Sequence, residues 1–478
     1  MTAKPAERLP LGLKLFHGFG SIAYGIKDNG FSTFLLIFYN QVIGLDAKSV
    51  SFALMIALFI DAFADPVIGH LSDRTYTRWG KRLPWLYITP VPLAFSWLLM
   101  WAPPQNIGGW IFVYLIGVAI LVRTLISCCE VPSVALLPEL TRDYDERTSL
   151  MRFRFLFGWG GGLLMLYLAY TVFLVADETH KVGQLNENGY WNYAIFGAVL
   201  MAASVLVSAL GQHRRIAHLP KTKPEKTSIG QSLSEIRESF SHPAFRKLMI
   251  GGMLSYTSQG ITFSITTYLF LFVWQFSDQA FQFYPIILFG SMVGAFFLVT
   301  KLNRRFEKRK TAVFCGLIAL AFWMTPFILR GLGLWPTAGS QNSTIGLYAF
   351  AFIATMMSIT VMITGSSMMA DVVEASEVET GRRTEGLFYA GGLFMQKCAT
   401  GIGIFVSGLI VSLSGLPEKA VPGQVDGTVL DILVIGYCGT VAVLAILSAI
   451  TFARFPISRA DHEERVRLLA QTSSQKLQ

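Results

Sequence analysis

Charge is what this chain has least of: 14% of its 478 residues are Asp, Glu, Lys or Arg, against roughly 25% in an ordinary soluble domain. With 53% of its side chains hydrophobic, it cannot present a normal soluble surface, which excludes most soluble folds. Cysteine is scarce too. Cys128, Cys129, Cys315, Cys398 and Cys438 all lie in apolar runs without metal-ligand spacing, so they read as core residues rather than as a disulfide framework. No small-residue cleavage site follows the polar stretch from Met1 to Gly12, and the first apolar run is expected to be retained as a span. The net charge of +9 matters only through its distribution, and no nucleic-acid partner is expected from it.

Apolar length is abundant. Runs with weak polar punctuation lie near 13 to 44, 49 to 71, 84 to 102, 109 to 138, 153 to 176 and 191 to 211. Six more lie near 247 to 274, 280 to 300, 311 to 329, 344 to 372, 385 to 414 and 428 to 455. A bilayer helix needs about 20 residues, so twelve spans use roughly 240 positions and fit this chain. Lys and Arg crowd the even-numbered connections, among them Arg74, Arg78, Lys81, Arg82, Arg214, Arg215, Lys301, Arg304, Lys308, Arg382 and Arg383. The odd connections hold only Lys48, Lys181, Arg330 and Lys419. By the positive-inside rule both termini are cytoplasmic.

The organisation expected is an N-terminal six-helix half over 1–212, a cytoplasmic linker over 213–246, a C-terminal six-helix half over 247–456 and a cytoplasmic tail over 457–478. Ile229, Leu233, Ile236 and Phe240 recur at helical spacing, which predicts a surface helix in the linker. A basic turn closes the second span (Asp73, Arg74, Arg78, Gly80, Lys81, Arg82) and a degenerate one closes the eighth (Lys301, Arg304, Arg305, Lys308). Duplication at equivalent places is what a six-plus-six transporter would carry, with substrate held near the midplane.

Ionisable residues within apolar runs carry the functional information, because each is costly unless paired or hydrated. Lys27 and Asp28 interrupt the first span, and Asp61 and Asp65 interrupt the second at i and i+4, on one helical face. Two acids so placed suit a shared cation or proton better than one salt bridge. Arg123 and Glu130 lie on one face of the fourth span, and Arg123 in midspan favours an anionic group on the substrate. Arg154, near the start of the fifth span, either snorkels to the headgroups or faces a cavity. Lys397 has no nearby acid in the eleventh span, which makes Asp61 and Asp65 its expected partners. Ser255, Gln259, Thr262 and Thr266 share one face of the seventh span, where they either bond a polyol or bond back to their own helix and a neighbour. Glycines Gly158, Gly160, Gly161, Gly162, Gly386, Gly391, Gly392 and Gly401 allow close helix packing.

Several segments resemble the glycoside-pentoside-hexuronide cation symporters, the melibiose-permease branch of the major facilitator superfamily. They are Tyr24-Gly25-Ile26-Lys27-Asp28, Asp61-Ala62-Phe63-Ala64-Asp65-Pro66, and Arg78-Trp79-Gly80-Lys81-Arg82-Leu83-Pro84-Trp85. Pro132 after Glu130, Arg154, Ala370-Asp371-Val372-Val373-Glu374 and the run from Thr380 through Gly386 to Lys397 complete the match, which extends from the first span to the eleventh. The resemblance implies an all-α membrane protein of twelve transmembrane helices. It also implies substrate contacts at Asp28, Glu130 and Arg154, cation coupling at Asp61 and Asp65, and Lys397 beside them. Tyr24, Arg123 and Gln259 join the substrate candidates, and Asp73, Arg78, Asp371, Glu374, Arg382 and Arg383 are the candidates for a cytoplasmic gate.

There are departures from the family pattern. Ala64 and Leu393 stand where the sodium-using sugar carrier has an amide and a hydroxyl, and Val134 stands where it has an aromatic that stacks on sugar. The expected function is alternating-access symport of a sugar or glycoside with a cation, in a bacterial inner membrane, by a monomer in contact with lipid. A lysolipid or other amphiphile is the alternative cargo. No cofactor is expected; the coupling ion is H+ in preference to Na+, which Asp61 and Asp65 could also hold. An intramembrane prenyl transferase also uses Asp-x-x-x-Asp, but its second acid cluster would have to be Asp371 and Glu374, which sit beside Arg382 and Arg383 at a span end.

Overall fold

The computed structural model describes residues 9–104, 108–141, 143–178, 180–217, 240–380 and 385–457. The expected linker helix, the tail from 458, Arg382 and Arg383 lie outside the described residues. The chain divides into two compact units, Met1–Ile229 and Gly230–Gln478.

In the first unit the helices are α1 (Leu11–Phe19), α2 (Ile22–Asn29), α3 (Ala47–Arg74), α4 (Leu83–Ile88), α5 (Pro90–Trp101), α6 (Ile111–Ala135), α7 (Tyr144–Leu168) and α8 (Glu187–Ala217). The second unit holds α9 (Pro243–Tyr268), α10 (Asp278–Arg305), α11 (Lys308–Gly331), α12 (Gln341–Thr380), α13 (Glu385–Ser414) and α14 (Gly427–Ala453). Among the described residues nine helices are long and apolar enough to cross a membrane.

Three further crossings bring the fold to twelve, and each misses that criterion for a local reason. The first is an interrupted helix: α2 passes into π-helical turns at Gly30–Phe34 and Phe38–Ile43, and Gly44 ends the run in the left-handed region at φ 91°. The third is split into α4 and α5 because Pro90 and Pro92 supply no N–H to the ladder. The seventh, α9, is diluted by Ser, Thr, Tyr and Gln. Asp46, Asp143, Ser277 and Asp426 cap α3, α7, α10 and α14 through the backbone N–H of Ser49, Glu146, Ala280 and Thr428.

Glycine permits a close helix crossing in each unit. A Cβ on Gly25 of α2 would lie 1.9 Å from the Gly158 carbonyl oxygen of α7, so only hydrogen fits there. In the second unit a Cβ on Gly403 of α13 would lie 2.3 Å from the Thr257 carbonyl oxygen of α9, beside Gly260. First and fifth spans thus cross through glycine in both units, a structural echo of the internal repeat. Of the glycines singled out in the sequence, Gly158 and Gly162 make this approach in the first unit, while in the second the residue is Gly403.

Aromatic packing stiffens the interiors. Trp101 stacks on Tyr190 at 5.5 Å with Phe34, Phe38, Trp97 and Tyr193 around it. Phe245, Leu248, Met368, Val372, Phe388 and Phe452 form a buried cluster in the second unit. Ile88, Phe297, Leu413 and Ile435 instead stand exposed, as lipid-facing side chains do.

Candidate substrate and coupling site

In the first unit, α3 carries Asp61 into the interior, where it is 3% exposed, and places the half-buried Asp65 one turn further on. The facing α6 presents Arg123 and Ser127, four residues apart and so on one face. Arg123 donates from Nε to Asp61 Oδ2 at 3.0 Å, its Nη2 lies 2.9 Å from the same oxygen, and Ser127 donates its hydroxyl to Oδ1 at 2.7 Å. Phe31 covers the guanidinium, its ring centre 5.0 Å away. Removing one partner of such a buried pair costs about 3–5 kcal/mol, because the remaining charge is stranded.

Two turns along α6, Ser133 accepts a 2.7 Å hydrogen bond from Arg154 Nη1, and the same guanidinium lies 5.5 Å from the ring centre of Tyr24 on α2. Arg154 is 7% exposed, so its head group points into the unit instead of snorkelling. This junction ties α2, α6 and α7 together. Asp28 lies one turn beyond Tyr24, and half-buried Glu130 lies three residues before Ser133, so both acids share helical faces with the junction. Asp28 pairs with the buried Lys27 at 2.6 Å while its own side chain is 66% exposed. It therefore offers a carboxylate to solvent with its charge balanced from behind.

The stripe on α9 is used within the second unit. Ser255 bonds Ser448 at 2.8 Å, Thr262 donates to the Ser258 carbonyl and approaches the Tyr437 hydroxyl, and Thr266 donates to the Thr262 carbonyl. These are bonds back to the same helix and across to α14. Gln259 is half-buried on α9, and Lys397 is half-buried on α13.

At the span ends, Gly80 at φ 94° turns the chain so that Arg82 swings back under α3. Buried Arg82 pairs with Asp73, reaches Glu139 at 3.4 Å and donates to the Ser72 hydroxyl at 2.5 Å. In the second unit Lys308, opening α11, pairs with Asp371 of α12 at 2.6 Å. Arg82 before the third span with Glu139 after the fourth matches Lys308 and Asp371 in the second unit, so the repeat extends to the ion pairs.

Some sequence expectations take a different form. Arg123, grouped there with the substrate contacts, spends its guanidinium on Asp61. Asp61 has Arg123 and Ser127 as partners within its own unit, contacts that spacing along the chain did not announce. Arg78, named for the gate, is exposed and lies 5.0 Å over Trp79, while Arg82 takes Asp73. Ser127 and Ser133 were missed, although their i+4 and i+3 spacing from Arg123 and Glu130 was available. Among the described residues no group of three or more His, Cys, Asp or Glu could hold a metal ion.

The architecture is that of a membrane transporter. The chain is similar to the xylose transporter XylE of E. coli in its partially occluded inward-open conformation, with a TM-score of 0.60, 15% identity, and coverage of 93% of this chain and 99% of that one. It is 25% identical to the isoprimeverose transporter of Lactiplantibacillus pentosus, over 85% of this chain and 81% of that protein. It is also 25% identical to the sodium-dependent lysophosphatidylcholine symporter 1 of Gallus gallus, over 97% of this chain and 90% of the other. The chain belongs to the MFS/sugar transport protein family, which it matches over residues 16–459, and within it to the glycoside-pentoside-hexuronide cation symporters. It is a multi-pass integral membrane symporter and not an enzyme.

Proposed function

We propose that this symporter moves a sugar or glycoside across a bacterial inner membrane by alternating access, coupled to protons, with both termini cytoplasmic. The observation that supports the substrate class is the Arg154, Ser133 and Tyr24 junction. It combines a planar array of N–H donors, a hydroxyl and an aromatic ring, with carboxylates Asp28 and Glu130 on adjoining faces. A sugar presents the complementary set, hydroxyls that donate and accept around a ring with apolar faces. The names of the related isoprimeverose transporter and of the family agree with that chemistry.

Proton coupling follows from the oxygen supply. Sodium wants several oxygen ligands, whereas a proton needs one, and Ala64 offers none beside Asp65. The orientation rests on the concentration of Lys and Arg in the even-numbered connections. The test is uptake into proteoliposomes of labelled pentosides, hexosides, hexuronides and lysophosphatidylcholine under an imposed gradient. Accumulation of a glycoside supports the assignment. Accumulation of lysophosphatidylcholine alone would replace it with an amphiphile carrier, a cargo consistent with the exposed, non-aromatic Val134.

A further inference from the structure

We propose that Arg123 is a tethered cation that permanently fills the coupling position at Asp61, so that no exchangeable ion binds that carboxylate and sodium has no place there. The proposal rests on the symport reading above, and it concerns Asp61, the buried acid of α3.

Three features of the pair carry it. Both carboxylate oxygens of Asp61 are engaged, Oδ2 by Nε and Nη2 of Arg123 and Oδ1 by Ser127. An alkali ion at Asp61 would have to displace these donors, and it would meet a fixed positive charge within contact distance. The pair is also buried: the two side chains are 5% and 3% exposed, so a sodium ion there would have to shed most of its hydration shell. Finally, the guanidinium is closed over by the Phe31 ring at 5.0 Å, a contact that suits a delocalised, weakly hydrated cation. An exchangeable site needs an entry path and replaceable ligands, and this one has a covalently attached occupant instead.

The experiment uses purified full-length protein and reads thermal unfolding in sodium chloride against choline chloride at equal ionic strength and pH. Sodium is the probe, so the result does not depend on knowing the substrate and stands apart from the failure of any transport assay. Wild type and Arg123→Lys, which keeps a cation at the pair, should show no sodium-specific shift. Arg123→Ala should be destabilised in choline and gain a sodium-specific rise in Tm of about 2 °C or more, the scale expected when a ligand binds the folded state. That gain should vanish in Arg123→Ala/Asp61→Asn, which has neither charge. If Arg123→Ala does not survive extraction, Arg123→Gln is read in its place, since its amide still reaches toward Asp61 without a charge. A folded Arg123→Ala or Arg123→Gln variant, with Asp61 intact, that shows no response to sodium would overturn the proposal, as would an Asp61-dependent sodium response in the wild type.

Discussion

Replacing Arg154 by alanine should weaken substrate binding far more than it weakens the fold. Arg154 spends one of its five N–H donors on Ser133 and lays its face over Tyr24. The remaining donors are those a sugar hydroxyl or carboxylate would accept from. A hydrogen bond from a charged donor contributes about 1.5–3 kcal/mol, which converts to a loss of roughly 10- to 150-fold in affinity at 1.4 kcal/mol per tenfold. Truncation also frees Ser133 and the Tyr24 face, but both then border the same polar junction, so the stability cost should stay within the usual range of about 0.5–3 kcal/mol. The assay is substrate binding to detergent-purified protein by calorimetry, with thermal unfolding measured on the same samples. Arg154→Lys keeps the charge but loses the planar fork and should fall between the two. Equal affinity in Arg154→Ala and wild type would refute the reasoning, since it would mean that the guanidinium serves only to join α6 to α2.

Other perturbations follow from the same contacts. Asp65→Asn should abolish accumulation of substrate against a gradient while leaving normal amounts of folded protein in the membrane, measured by vesicle uptake and immunoblot. Asp61→Asn should also lose accumulation, with a stability loss of about 3–5 kcal/mol from the stranded Arg123; recovery of thermal stability in Asp61→Asn/Arg123→Gln checks that cause. Arg82→Ala should change the maximal transport rate more than the KM, because it releases Asp73 and Glu139 without touching the Arg154 junction. Gly25→Val should prevent accumulation of folded protein, since its Cβ alone would sit 1.9 Å from the Gly158 carbonyl oxygen.

The span count and the intramembrane charges were legible in the sequence because both follow from composition: an apolar run of span length and a charge inside it need no partner to be recognised. The partners were not legible. Helical spacing places Asp61 and Asp65 on one face of α3, but it does not say that Arg123 pairs with Asp61, because the register between α3 and α6 is set by packing across the unit. The same ignorance of register favoured Arg78 over Arg82, although the left-handed turn at Gly80 aims the later arginine at Asp73. Residues Ser255, Thr262 and Thr266 look like a binding stripe in one dimension, yet their hydroxyls are committed to α9 itself and to α14. The interrupted first crossing hid inside one continuous apolar run, because a π-turn changes the backbone ladder without changing hydropathy.

The most direct test of the account is uptake into proteoliposomes driven by an imposed inward pH gradient without sodium, compared with an imposed sodium gradient at equal pH. The account predicts accumulation with the pH gradient and none with sodium alone, because Arg123 fills Asp61 and Ala64 offers no side-chain oxygen beside Asp65. Accumulation driven only by sodium would contradict it.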